Sequence, residues 1–118
     1  QASEWERYGV LVNAIAPDAR TRMTEGIFYS SDDVTEGQFD SKSPENVSPL
    51  VAWLASRECD VSGRTFEVTG GQLNVCDGWQ HGPVQTVGKR PMRAEEVGLL
   101  VHASINAAPV PEKVYGAE

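Results

Sequence analysis

The most restrictive feature of this 118-residue sequence is the stretch from residue 10 to residue 16, which is apolar at every position except Asn13. Pro17 ends the stretch, because proline has no N–H group to donate to a strand ladder. A strand that is apolar throughout, without alternating polar residues, is typical of a parallel sheet covered by helices on both faces. The sequence therefore predicts an α/β fold in which this first strand is central.

A helix and a second strand are predicted further along the chain. Ser43 before Pro44 and Glu45 is typical of a helix start, with a serine N-cap and an acid in the first turn. Trp53, on the flank of this helix, is predicted to pack and not to bind a partner. Residues 64–68 are rich in strand-forming types and predict the second strand, so that strand, helix and strand form a βαβ unit with a right-handed crossover. The apolar stripe of the helix is predicted to consist of Val47, Leu50, Val51, Leu54 and Ala55.

The two ends of the chain are also predicted to be helical. Residues 1–8 resemble the end of a helix, and Gly9 is suited to the left-handed conformation that follows one. A last helix is predicted from about Arg93 to Ala103, with Val97, Leu100 and Val101 facing inward. Only two strands are found, and two parallel strands leave sheet edges and an apolar face open. We therefore expect the first strand to pair with a missing N-terminal half or a companion chain, and the isolated chain to fold poorly.

Composition and charge exclude several classes of function. The net charge is −7, and no basic cluster exists beyond Lys89, Arg90 and Arg93, so nucleic-acid binding is not expected. No apolar run approaches the roughly 20 residues of a membrane helix, and no signal sequence is found. Cys59 and Cys76 have no CxxC partner, which predicts free thiols in a cytoplasmic protein, and the two histidines add no metal-ligand spacing.

The segment after the first strand is the candidate binding site. Ligands of doubly wound sheets bind beyond the carboxyl ends of the strands, and residues 17–23 leave such an end. A threonine hydroxyl and backbone N–H groups there can hold an amide or a phosphate, although a buried strand that ends at an ordinary proline turn is the simpler explanation of the pattern alone. Residues 21–28 predict a short helix, within a long irregular segment typical of a lid or binding loop. Four acids in this segment fit no EF-hand spacing and are predicted to be solvated: Asp32, Asp33, Glu36 and Asp40.

Residues 12–17, followed by Thr21 and Met23, resemble the sixth strand and the following turn of short-chain dehydrogenases/reductases. Asp18 replaces the usual glycine and the turn is one residue shorter, as in the (3R)-hydroxyacyl-CoA dehydrogenase domains of multifunctional β-oxidation enzymes and their bacterial relatives. The second half resembles the penultimate helix and last strand of that branch. The resemblance implies that residues 1–118 are the C-terminal portion of a Rossmann-like doubly wound parallel sheet, its last two strands with flanking helices, incomplete alone.

The resemblance also implies a function. NAD or NADP would bind in the complete enzyme, with its nicotinamide end at Pro17, Asp18, Ala19, Thr21 and Met23. Residues 27–42 would cover a substrate similar to an acyl-CoA, and the helix from Pro44 with the strand at Phe66 would build a homo-oligomer interface. Gly70 and Gly71 resemble the family's glycine pair at that interface, although an ordinary turn accounts for them from the residues alone.

The family's glycine-rich phosphate loop and its Tyr-x-x-x-Lys pair do not occur in this sequence. No catalytic residue is therefore predicted in it, and the segment alone is not expected to catalyse a reaction. Trp79, His81 and Pro83 are predicted to pack in a core or an interface and not to take part in chemistry. The alternative interpretation is a non-catalytic paralogue, or one chain of a split protein, that acts as a binding or assembly module.

Overall fold

The computed structural model describes residues 1–28, 37–77 and 80–108. Three α-helices and five strands lie in this part of the chain, with 3₁₀ turns at Glu6–Tyr8 and Pro44–Val47. None of the helices in the described residues is long and apolar enough to cross a membrane. In chain order the elements are α1 (Ala2–Trp5), β1 (Ala14–Pro17), α2 (Ser48–Leu54), β2 (Thr65–Thr69), β3 (Gln72–Asp77), β4 (Gln80–His81), β5 (Gln85–Thr86) and α3 (Ala94–Ala107).

The sheet is mixed, with strand order β1-β2-β3-β4 and β5 paired to β3. β1 and β2 are parallel, with Ala14 opposite Thr65, which confirms the α/β class and the parallel pair. β2 and β3 are antiparallel and form a hairpin around Gly70 and Gly71. Gly70 has φ = 52° whereas Gly71 has no positive φ, as in a type II′ turn, which suits the twist of paired strands. The prediction of only two strands is therefore wrong, because the glycine pair connects β2 to a third strand.

The core lies between one face of the sheet and the two longer helices. Ser104 of α3 reinforces this packing, because its Oγ accepts a hydrogen bond from the N–H of Val75 at 3.0 Å. Burying each large apolar side chain stabilises the fold by roughly 1.5–3 kcal/mol, so these contacts dominate its stability. Eight of the buried core residues come from β2, β3, α2 and α3: Phe66, Val68, Leu73, Val75, Leu50, Trp53, Val97 and Val101.

The predicted helix begins as the 3₁₀ turn Pro44–Val47 and continues as α2; its start at Ser43 is as predicted, but its buried face is not. The hydroxyl of Ser43 accepts a hydrogen bond from the N–H of Glu45, which confirms the N-cap. The buried residues are Asn46, Leu50 and Trp53, whereas Val51 is exposed, so the predicted stripe is rotated by about one residue. The rotation arises because the Asn46 amide bonds inward to the carbonyl of Asp40 and the large indole of Trp53 fills the core. The packing role predicted for Trp53 is confirmed.

β1 is shorter and more exposed than its apolar sequence predicts. All four of its residues are exposed, and within the described residues it pairs with β2 alone. Residues 10–13 are not strand. They are held by the loop before β2, where the side chain of Asn13 donates to the carbonyl of Val61 at 2.8 Å and accepts from the N–H of Arg64 at 3.2 Å. The described part of the chain thus leaves one edge of β1 open.

The remaining predictions have mixed outcomes. Gly9 follows the N-terminal turns with φ = 71°, as predicted, and the last helix forms but extends to Ala107. The short helix predicted at residues 21–28 is wrong, because these residues form successive turns. The acids at positions 32, 33 and 36, Trp79 and the tail from residue 109 lie outside the described residues.

Candidate functional site

The carboxyl ends of β1 and β2 lie side by side. Pro17 is opposite Val68, and the N–H of Asp18 donates to the carbonyl of Val68 at 2.9 Å, continuing the parallel ladder by one residue. Asp18 and Thr69 consequently leave the sheet side by side, at the carboxyl ends of the two strands; this end of the sheet is the strand edge. This is the edge where ligands bind in parallel sheets of this kind.

Lys42 connects the two strand ends. Its ammonium group forms an ion pair with the carboxylate of Asp18 and lies 3.4 Å from the hydroxyl of Thr69. The carbonyl of Lys42 also accepts a hydrogen bond from the N–H of Arg20 at 2.7 Å. Both side chains of the ion pair are partly exposed, so the pair positions the turn more than it stabilises the fold.

Asp40 fixes the segment that carries Lys42. The Asp40 carboxylate lies 2.5 Å from the Arg20 guanidinium and accepts the N–H of Lys42 at 3.0 Å, while its carbonyl accepts the amide of Asn46 at 2.8 Å. The prediction that Asp40 is a solvated acid is therefore wrong. Asp40 joins the turn after β1 to the start of α2.

The turn after Ala19 is closed by its own threonines. The N–H of Thr21 donates to the hydroxyl of Thr24 at 2.8 Å, and the hydroxyl of Thr21 accepts the N–H of Met23 at 3.3 Å. The side chain of Met23 is 86% exposed and those of Ile27 and Phe28 are also largely exposed. The turn thus presents an apolar outer surface.

The five predicted site residues lie on one continuous path that starts at the strand edge. Pro17, Asp18 and Ala19 adjoin the end of β2, and the structure brings Asp18 to Lys42. Thr21 is engaged within the turn, and the exposed side chain of Met23 extends away from it. A cleft lies beside these five residues, but none of them lines it. The sequence did not predict this cleft.

That cleft has a volume of about 860 Å³, within the usual range for small-molecule sites. One wall is the segment that ends at Lys42, another contains Lys89, and the β2–β3 turn forms the base. The two lysines were missed because neither belongs to a recognisable motif and they are far apart in sequence. The lining residues are Gln38, Phe39, Ser41, Lys42, Thr69, Gly70, Gly71, Gln72, Thr86, Gly88 and Lys89.

A second polar cluster surrounds Glu67 on the sheet face opposite the core. The Glu67 carboxylate accepts the amide of Asn74 at 2.6 Å and lies 2.5 Å from Nδ1 of His81, and the hydrogen bond from His81 lowers the pKa of Glu67. Burial, and then the charge of Glu67, raises the pKa of the Cys76 thiol. A protonated thiol is a poor nucleophile, which argues against catalysis by this cysteine.

His81 and Pro83 are exposed, so the prediction that they pack in the core of this chain is wrong. Both cysteines are free thiols, as predicted. Among the described residues, no group of three or more potential metal ligands comes together. The strand edge and its cleft are therefore the best candidate for a binding site in this part of the chain.

Comparison with known proteins gives consistent matches. The chain is 46% identical over 70 residues to the hydroxyacyl-CoA dehydrogenase ChsB1 of Mycobacterium tuberculosis, covering 58% of this chain and 22% of that protein. It is 35% identical over 98 residues to the peroxisomal multifunctional enzyme type 2 of Mus musculus, covering 81% of this chain and 12% of that enzyme. No family model matches the chain.

A solved structure agrees with these sequence matches. The crystal structure of a short chain dehydrogenase from Mycobacterium avium is 44% identical to this chain and superposes with a TM-score of 0.50. The match covers 98% of this chain and 35% of that structure. The chain thus spans 22% or less of the two curated relatives and about a third of the solved one.

Proposed function

This chain belongs to the short-chain dehydrogenase/reductase family and corresponds to its C-terminal part, and on that premise we propose that it is the C-terminal segment of an NAD(P)-dependent dehydrogenase. The complete protein would oxidise the hydroxyl group of a 3-hydroxyacyl-CoA or a similar hydroxy substrate. The observation that carries the proposal is the pairing of the Asp18 turn with the carboxyl end of β2, at the ligand-binding edge of a parallel sheet.

The turn at residues 17–23 fits the nicotinamide end of the cofactor. The hydroxyl of Thr21 accepts the N–H of Met23 and lies 3.2 Å from the hydroxyl of Thr24, where either can be the donor. Because Thr24 can donate to the carbonyls of Ala19 and Thr21 instead, a bound carboxamide could take the Thr21 O–H as its donor. The ammonium of Lys42 offsets the charge of Asp18, which would otherwise repel an anionic cofactor. A bound nicotinamide would accept the hydride released from the substrate carbon.

The other segments would serve the substrate. Residues 27–42 would cover it, since the exposed side chains of Ile27 and Phe28 offer an apolar surface next to the turn. The hydroxyl proton would pass to a base elsewhere in the complete protein, because the carboxylates of Asp18 and Asp40 beside the turn are held in ion pairs with Lys42 and Arg20. No residue of this segment is assigned to the proton transfer.

The open edge of β1 supports a partner for this segment. The side chain of Ile15 is 36% exposed, and Trp5, Tyr8, Val10 and Leu11 nearby in sequence are more exposed still. A parallel strand with an open edge and an exposed apolar face is unusual, because such sheets are normally covered on both sides. We propose that the N-terminal half of the domain, or a companion chain, pairs with β1.

We also propose that the protein forms a homo-oligomer through α2 and α3. Its proposed location is the cytoplasm. Phe66 is fully buried within this chain and is not available to a second subunit. Val51 and Leu99 are exposed on the two packed helices and provide the apolar contact instead. Leu99→Asp should shift the complete protein to a smaller species in light scattering, whereas an unchanged mass would refute this interface.

The activity is tested on the complete protein with a 3-hydroxyacyl-CoA and either NAD or NADP, measured by the absorbance of the reduced cofactor. Substrate-dependent reduction with one of them is expected. Thr21→Val should raise KM for the cofactor by about tenfold, because one hydrogen bond is lost, whereas Thr65→Val, outside the edge, should not. A correctly folded complete protein that reduces neither cofactor would contradict the proposal and favour a non-catalytic assembly module.

A further inference from the structure

The cleft whose base is the β2–β3 turn is lined by positive side chains, whereas the chain as a whole is negative. The sequence carries a net charge of −7, yet the described residues that line the cleft include Lys42 and Lys89 and no acid. The hydroxyls of Ser41, Thr69 and Thr86 also line it. A cleft that combines ammonium groups and hydroxyl donors without carboxylates is suited to an anion with several acceptor oxygens.

Lys89 is the cation of this cleft that is least engaged by the protein. Lys42 pairs with Asp18, and the neighbouring Arg90 forms two hydrogen bonds with the carboxylate of Glu96. Within the described residues, no carboxylate lies within ion-pair distance of Lys89, and the side chain is exposed. Its charge is therefore available to a ligand.

The cleft is also built to keep its shape. Gly71 packs against the carbonyls of Gly88 and Arg90, and its own carbonyl accepts the N–H of Val87 at 2.9 Å. On the other side, a Cβ on Gly70 would lie 3.2 Å from Ser41. The β2–β3 turn thus holds the segments carrying Lys42 and Lys89 at fixed positions around one space, which lowers the entropy lost when an anion binds.

We propose that this cleft is a phosphate-binding subsite in which Lys89, with Lys42 and the adjacent hydroxyls, holds a phosphate ester of an adenine nucleotide. The assignment of the ligand to this class rests on the proposed function, because both the acyl-CoA substrate and the dinucleotide cofactor carry such groups. The site adjoins the predicted cofactor turn without sharing its residues. It would orient the phosphorylated end of one of these molecules while the reacting end lies at residues 17–23.

The experiment titrates adenosine 3′,5′-bisphosphate into the complete protein by calorimetry, without turnover. Saturable binding that weakens as salt is added is expected. Lys89→Gln should weaken binding by about tenfold and Lys89→Arg by less than about twofold, because one charge-assisted hydrogen bond is lost only in the first variant. The matched control is Arg57→Gln, which removes one exposed positive charge outside the cleft and should leave affinity unchanged.

Competition then distinguishes the two sources of the phosphate. Displacement of the bisphosphate by an acyl-CoA but not by NADH assigns the cleft to the substrate, and the reverse assigns it to the cofactor. An unchanged affinity in Lys89→Gln, an equal loss in Arg57→Gln, or no binding to the wild type would overturn the subsite. Because binding is measured directly, a protein with no dehydrogenase activity can still support or refute it.

Discussion

A Cβ atom added to Gly71 would lie 2.4 Å from the carbonyl oxygen of Arg90 and 2.7 Å from that of Gly88. No side chain can occupy this position unless the backbone around residues 87–90 moves, and that backbone forms one wall of the cleft. Gly71 therefore has a steric role that its place in a two-residue turn does not reveal. Its conformation is not left-handed, so backbone strain is not the reason for the glycine.

Gly71→Ala is accordingly expected to destabilise the protein by about 3 kcal/mol, because the clash is with backbone oxygen and not with a flexible side chain. The measurement is the free energy of unfolding in urea. Gly37→Ala is the matched control. Gly37 has φ = 85°, and no atom of the described residues lies within 4 Å of its Cβ position, so that only strain of roughly 1–2 kcal/mol is added. Equal losses in the two variants would contradict the steric explanation.

The protein should lose stability in acid when the carboxylate of Glu96 is protonated. Two hydrogen bonds from Arg90, and then one from the N–H of Arg93, lower the pKa of Glu96 from 4.5 to about 2. Because the pKa is lower in the folded state, the stabilisation is complete above pH 4.5 and is lost as the pH falls through about 2.

Glu96→Gln should therefore be less stable than the wild type at neutral pH, and the difference should shrink as the pH approaches 2. Unfolding by urea at a series of pH values measures this difference. Glu95→Gln, an exposed neighbour in the same helical turn, serves as the control and should follow the wild type throughout. A difference that stays constant with pH would mean that the carboxylate charge is not the cause.

The reactivity of Cys76 should depend on Glu67. Burial, then the Glu67 charge and a hydrogen bond with Glu67, raise the pKa of the Cys76 thiol, so removal of the charge takes away one of these causes. In Glu67→Gln the thiol should be alkylated faster than in the wild type at mildly alkaline pH, because more thiolate is present. Cys59→Ser in both backgrounds restricts the measurement to Cys76. Slower or equal alkylation would show that the charge of Glu67 does not act on this thiol.

How far the sequence predicts this structure depends on whether a feature is local. The N-cap at Ser43, the left-handed Gly9 and the second strand follow from neighbouring residues and are predicted correctly. The buried face of the segment formed by the 3₁₀ turn and α2 is not, because the Asn46 amide donates to the carbonyl of Asp40 in the preceding loop. The third strand is not predicted, because the residues around Gly70 and Gly71 do not distinguish an ordinary turn from the hairpin turn that leads into β3.

The same distinction applies to the candidate site. The turn at residues 17–23 was predicted, because a strand end followed by threonines is a contiguous pattern. Lys42 and Lys89 are 47 positions apart, and only the β2–β3 turn places them in one cleft. Likewise, the ion pair of Asp18 with Lys42 joins residues separated by 24 positions. No periodicity or spacing in a single sequence contains such a contact, since it depends on how the loops cross the sheet edge.

The ion pair of Asp18 and Lys42 leads to a prediction about both the turn and the cleft. Asp18→Asn removes a negative charge beside Lys42 and so makes the electrostatic potential at the cleft more positive. Stability should fall by less than about 1 kcal/mol, because the pair is partly exposed. Affinity for adenosine 3′,5′-bisphosphate should rise by about threefold, since one negative charge near the bound anion is removed.

Asp60→Asn provides the matched control, because it changes the net charge equally at an exposed acid that contacts His102, outside the cleft. Its affinity should equal that of the wild type at the same ionic strength. Equal gains in both variants would mean that net charge alone is responsible. A loss of affinity in Asp18→Asn would mean that the carboxylate is needed to orient Lys42, which would reverse the role assigned to this pair.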